Sequence, residues 1–97
     1  MRVPVHLSWN HDKSLETTTE NLSSRGFYCK SLERVPEQQI LTAVLVLPVA
    51  GSRGMSLHCR VRVVRVENGG DSFGLGCHIE EYTVETGFMT QSALLPF

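Results

Sequence analysis

The chain reads as a single all-β domain, a six-stranded antiparallel barrel. Three observations point there. Short runs alternate apolar and polar residues with the period of a half-buried strand. Clusters of Asn, Asp, Gly, Ser and Pro punctuate those runs at the spacing of an all-β fold. One long run changes the parity of its apolar residues midway, as a strand does when it bulges or bends from one side of a barrel to another. With 97 residues the chain forms one domain, 1–97, with one modest core. Hydrophobic residues at 41% and charged residues at 20% suit a globular chain.

Val3, Val5, Leu7 and Trp9 alternate with Pro4, His6 and Ser8, which gives a first strand. Asn10-His11-Asp12-Lys13 is a polar turn. Residues 14–22 include Thr17-Thr18-Thr19, β-branched and strand-favouring. Gly26 interrupts, and Phe27-Tyr28-Cys29-Lys30 resumes. Pro36 and Glu37-Gln38-Gln39 form a connection to residues 40–47, whose nearly continuous apolar run predicts a strand buried on both faces. Ala50-Gly51-Ser52-Arg53-Gly54 is a hairpin-like loop.

Residues 55–67 predict the longest strand. Met55, Leu57, Cys59, Val61 and Val63 share one face, whereas Val64 and Val66 take the other parity. Asn68-Gly69-Gly70-Asp71 is a hairpin turn. Phe73, Leu75, Cys77 and Ile79 give the last strand, with Gly74 and Gly76 on its other face allowing close backbone approach. The expected interior is Leu45, Val61, Val63, Phe73, Leu75 and Ile79. The barrel is expected over about 2–80. The tail, 82–97, reads as irregular or weakly helical, with Val84, Phe88, Leu94 and Leu95 along one side of a short helix weakened by Gly87.

Composition narrows the function. A net charge of −1 provides no global basic field for nucleic acid or an anionic membrane. Three cysteines without a CxxC pair argue against a disulfide framework and for a reducing, cytoplasmic setting. Neither a membrane-spanning apolar run nor a signal-like N-terminus is expected from this sequence. His6, His11, His58 and His78 are scattered and no catalytic constellation stands out, so the chain is read as a non-enzyme. Glu80 and Glu81 adjoin on a strand end and should point to opposite faces. His58-Cys59 and Cys77-His78 each offer one ligand per strand face, and both cysteines share parity with aliphatic residues; they read as core, not as a metal site. Arg60, Arg62 and Arg65 have acidic neighbours and no interleaved aromatic residues, so a solvated face is expected there.

The richest segment is Asn21-Leu22-Ser23-Ser24-Arg25-Gly26. An amide, a hydroxyl, a guanidinium and a glycine in a tight turn can converge on a small anion. The same residues also serve as an ordinary turn. In order along the chain, Arg2-Val3-Pro4-Val5, residues 19–27, Arg60-Val61-Arg62-Val63-Val64-Arg65-Val66 and Phe73-Gly74-Leu75-Gly76-Cys77-His78-Ile79 together resemble a PilZ domain. The resemblance covers residues 2 to about 80. The family pattern pairs RxxxR with [D/N]xSxxG; Asn21, Ser23 and Gly26 match the second part. Arg2 stands where the second arginine falls, and the first would lie before Met1.

The resemblance implies a PilZ-type barrel that binds cyclic di-GMP through Arg2, Asn21, Ser23 and Gly26, with Arg25 as an auxiliary contact. It also implies a bacterial signalling module with a downstream protein partner, without metal, nucleic acid or membrane insertion. Gly26 is expected to give the turn a conformation closed to other residues. With half of the arginine pair, the chain as given is expected to bind weakly. The competing expectation is a PilZ-like protein-interaction domain that has lost nucleotide binding.

Overall fold

The computed structural model describes residues 2–48 and 54–86. Six strands follow one another: β1 (Pro4–Trp9), β2 (Lys13–Ser23), β3 (Gly26–Ser31), β4 (Ile40–Leu47), β5 (Met55–Asn68) and β6 (Phe73–Thr86). They form a closed antiparallel barrel in the order β1-β2-β3-β6-β5-β4. Pairing of β1 with β4, from Val5 opposite Leu45 to Ser8 opposite Thr42, closes the ring. No strand is left with an unpaired edge inside the ring.

The sequence builds this ring through alternation. Val5, Leu7 and Trp9 of β1 are buried, as are Leu41, Ala43 and Leu45 of β4 and Cys59, Val61 and Val63 of β5. Leu75, Cys77 and Ile79 of β6 complete the filling. Val35, in the connection after β3, is fully buried and joins this core. That connection also serves β5: the Gln38 N–H donates to the Val63 carbonyl at 2.7 Å, and the Val63 N–H donates to the Gln39 carbonyl at 3.0 Å. Gln38 takes a positive φ of 76° to do so.

The hairpin turns follow their side chains. Asn10 and His11 both take positive φ between β1 and β2, a conformation that asparagine tolerates better than most residues. In the β5–β6 turn Gly70 has φ 91°, and its N–H donates to Asn68 Oδ1 at 3.0 Å.

Several expectations are corrected. β4 is buried on one face only: Ile40 and Val46 point outward and are 37% and 49% exposed. In a single-walled barrel only the inner face is covered, so a continuous apolar run still alternates. Phe73 is half-buried because it sits at the barrel rim, next to the turn. Leu45, Val61, Val63, Leu75 and Ile79 are buried as expected. Residues 82–86 continue β6, paired with β5 out to Met55 opposite Thr86. The readings of a loop at 50–53 and of a helix beyond residue 86 lie outside the described residues.

The two sides of β4 should respond differently to truncation. Leu45→Ala should lower unfolding free energy by about 2–5 kcal/mol. Val46→Ala should cost less than about 1 kcal/mol. Urea unfolding of both variants checks this; equal losses would contradict the one-sided burial of β4.

Candidate functional site

The site grows from the β2–β3 hairpin. Ser23 pairs with Gly26 across a two-residue turn, Ser24-Arg25. Ser23 Oγ accepts the Arg25 N–H at 3.3 Å and lies 3.5 Å from the Gly26 carbonyl, to which it donates. The Arg25 carbonyl accepts the Ile79 N–H at 2.8 Å, which ties the turn to β6. Ser23 is thus a fastener of the turn. The Arg25 N–H is spent inside it rather than presented to a ligand.

Upstream, β2 carries a bulge. Thr19 pairs with Cys29 and Asn21 with Tyr28, leaving Glu20 as the extra residue. Thr19 remains buried while Asn21 and Ser23 are exposed on the outer wall. A second bulge on β5 leaves Val64 extra between the pairs Val63–Cys77 and Arg65–Gly76. This is the parity change visible in the sequence. Together the bulges align a row across four strands: Asn21 beside Tyr28, Tyr28 beside Gly76, Gly76 beside Arg65. The adjacent row runs Ser23, Gly26, His78, Arg62.

Glycines floor the surface these rows make. A Cβ on Gly74 would collide with the Tyr28 hydroxyl, so the Tyr28 ring lies across β6 where Gly74 leaves room. From there the Tyr28 hydroxyl donates to Glu67 at 3.0 Å. The Arg65 guanidinium stands 5.8 Å from the Tyr28 ring centroid and pairs with Glu67 at 3.1 Å. The result is an open concavity of about 650 Å³ bordered by Asn21, Ser23, Arg25, Tyr28, Arg65, Glu67 and His78. Its volume is within the ordinary range for small-ligand sites.

Of the four expected site residues, Asn21, Ser23 and Gly26 border this concavity, as does Arg25. Gly26 has no positive φ, which corrects its expected role. A Cβ there would run into the Cys77 carbonyl of β6, so glycine is required by close strand approach. Arg2 is not among the lining residues. The Val3 N–H donates to Thr19 Oγ1 at 2.9 Å and the Thr19 N–H to the Val3 carbonyl at 2.8 Å, so Arg2 lies at the level of Glu20, exposed beside the hairpin. Tyr28, Arg65, Glu67 and His78 were not legible as site residues. The signal that could have found Tyr28 and Arg65 was the pair Gly74 and Gly76, which leaves room on β6 for those two side chains.

Arg60 and Arg62 form a solvated, ion-paired face. Arg62 Nη2 lies 2.6 Å from Glu80, and Arg60 reaches Glu81 at 2.8 Å and Glu80 at 3.6 Å. The two glutamates share this face, contrary to simple alternation, because Glu80 is the extra residue of a third bulge between Arg60–Glu81 and Val61–Ile79. The Arg62 hydrogen bond holds the Glu80 carboxyl below the usual carboxylate range. The stability this pair contributes is full above the usual carboxylate range and is lost as pH falls through the lowered value.

All three cysteines are buried and free. Cys77 contacts Cys29 rather than Cys59; the Cys29 hydrogen bond, then burial, push the Cys77 thiol up. Burial alone raises Cys59. Among the described residues no group of His, Cys, Asp and Glu is arranged to hold a metal, and no helix is long and apolar enough to cross a membrane. No family model, curated protein or solved structure matches the chain.

The hydrogen bond to Glu67 raises the Tyr28 phenol above the ordinary value of about 10. The neutral phenol is favoured, so the contact holds at neutral pH and breaks only when the phenol ionises. In a Tyr82→Phe background, which leaves Tyr28 as the sole tyrosine of two, Glu67→Gln should lower the ultraviolet titration midpoint. An unchanged midpoint would mean that Glu67 is not the acceptor.

Proposed function

We propose that this domain is a receptor module for cyclic di-GMP, acting in bacterial signalling by binding and without catalysis. The observation that supports this most is the convergence of Asn21, Arg25, Arg65 and Tyr28 on one glycine-floored concavity. Cyclic di-GMP offers phosphate oxygens and guanine edges and faces. Guanidinium forks suit the phosphates and the guanine O6 and N7. The Asn21 amide offers both a donor and an acceptor to a base edge. An aromatic ring beside a guanidinium suits a purine face. The residues that resemble the PilZ pattern, Asn21, Ser23 and Gly26, border the same concavity, which adds to the reading.

The parts divide as follows. Asn21 contacts the base, Arg25 and Arg2 approach phosphate, and Ser23 and Gly26 shape the hairpin. Arg2 enters from the β1 side, next to Glu20. A PilZ-like protein-interaction domain is the second reading. It is favoured by one observation, that Arg2 stands outside the concavity while Arg65 is already paired with Glu67. In that case the outer wall meets a protein partner and the nucleotide is irrelevant.

Calorimetric titration with cyclic di-GMP separates the two. Asn21→Ala should weaken binding about three- to tenfold, the worth of one or two hydrogen bonds. Arg2→Ala should weaken it about ten- to a hundredfold through loss of a charge-assisted contact. Equal affinity for wild type and Arg2→Ala would remove Arg2 from the site. Absence of binding by the wild type at millimolar ligand would favour the interaction module.

A further inference from the structure

Glu67 is the one carboxylate bordering the concavity among the described residues. It stands where an arriving anion would have to go. Its Oε2 pairs with Arg65 Nε at 3.1 Å, and its Oε1 accepts the Tyr28 hydroxyl at 3.0 Å. Arg65 in turn lies over the Tyr28 ring. The three side chains form a closed triangle beside Gly76, over which the Arg65 side chain packs. Arg25, across the same surface, has no ion pair among the described residues.

We propose that Glu67 is a built-in, exchangeable counter-ion of the site. In the empty domain its carboxylate occupies Arg65; when an anionic ligand binds, a phosphate group takes that place on the guanidinium. This rests on the reading of the concavity as an anion site, and it adds Arg65 to Arg2 and Arg25 as an anion-receiving residue. Three features carry it. The Arg65 and Glu67 side chains are 61% and 52% exposed, so their ion pair is weak and open to competition. A phosphate can meet the guanidinium fork bidentately, with a stronger contact than this single one. The displaced carboxylate keeps its bond to the Tyr28 hydroxyl, so it is not left without a partner.

The exchange has a selective consequence. A neutral molecule cannot replace the carboxylate, so from Arg65 it gains only stacking and the N–H donors that Glu67 leaves free. An anion gains only the difference between its own contact and that of Glu67. The wild-type site is therefore weaker for anions than its residues allow.

The test uses the full chain, with cyclic di-GMP and inorganic pyrophosphate as separate probes. Wild type, Glu67→Gln and the double variant Glu67→Gln/Arg65→Gln are titrated at low and moderate salt. Glu67→Ser repeats the measurement without an amide that could itself bond Arg65. Thermal unfolding of each variant confirms a folded barrel. Removing the carboxylate should tighten binding of at least one probe by about three- to tenfold, the scale of one exposed ion pair and its repulsion of the ligand. The gain should vanish when Arg65 is also replaced. Should pyrophosphate show this Arg65-dependent gain while cyclic di-GMP binds no version, the counter-ion stands and the nucleotide reading falls. Should cyclic di-GMP bind in an Asn21-dependent way with no gain on removal of Glu67, the nucleotide reading stands and the counter-ion falls. Failure of both probes with every version, or a gain that survives loss of Arg65, also overturns the proposal.

Discussion

An open six-stranded sheet would end in two rows of unpaired N–H and C=O groups, and one of its faces would stay apolar and wet. The ladder between β1 and β4 removes both problems at once. It also sets a condition that the other elements must meet. A ring this small has an interior wide enough only for side chains, so every strand must keep apolar residues on its inner face along its length in the barrel. Long strands that coil around such a ring cannot do so with strict alternation. β5 and β6, at 14 residues each, and β2, at 11, are the strands that break it.

The bulges are the response to that condition, and the site is a by-product of them. Val64 is extra on β5, which lets Val63 and Val66 both turn toward the core and sets Arg65 facing outward opposite Gly76. Glu20 is extra on β2, which keeps Thr19 inside and aligns Asn21 with Tyr28. Without either insertion the row from Asn21 to Arg65 would not form. Concentrating polar groups on the outer wall costs the core little, because none of those side chains fills the interior. Gly26 is the exception. It lies under the concavity and against the Cys77 carbonyl, so it couples the site to the packing of β3 on β6.

The sequence carried most of the fold. The alternation in β1, the Asn-Gly-Gly-Asp turn and the parity change at Val63-Val64 each correspond to a feature of the barrel. β4 misled because apolar residues on both faces look the same whether the outer face is covered or bare. Glu80 and Glu81 misled because both are charged, so the bulge between Ile79 and Glu81 leaves no change of apolar parity that the sequence shows at that point. Asn21, Ser23 and Gly26 were legible as a group because turn chemistry is local. Tyr28, Arg65 and Glu67 were not, because 37 residues separate Tyr28 from Arg65 and only the β3-β6-β5 order brings them together. The role of Gly26 was read as a matter of φ, whereas the cause lies on another strand.

This arrangement divides the molecule into parts that do different work with little shared material. The interior holds aliphatic residues and three thiols, and burial suppresses ionisation of the Cys59 thiol. One patch of the wall, around Arg60, Arg62, Glu80 and Glu81, satisfies its own charges. The other patch is less complete: Arg25 has no ion pair among the described residues, Asn21 is exposed, and Arg65 is held only by an exposed carboxylate and a ring. Where a folded surface leaves cations this lightly compensated beside an aromatic ring, the balance of forces favours an anion with a flat face. Cyclic di-GMP, the ligand we propose, has both properties, and the chemistry of this wall and the pattern of its hairpin both support that proposal.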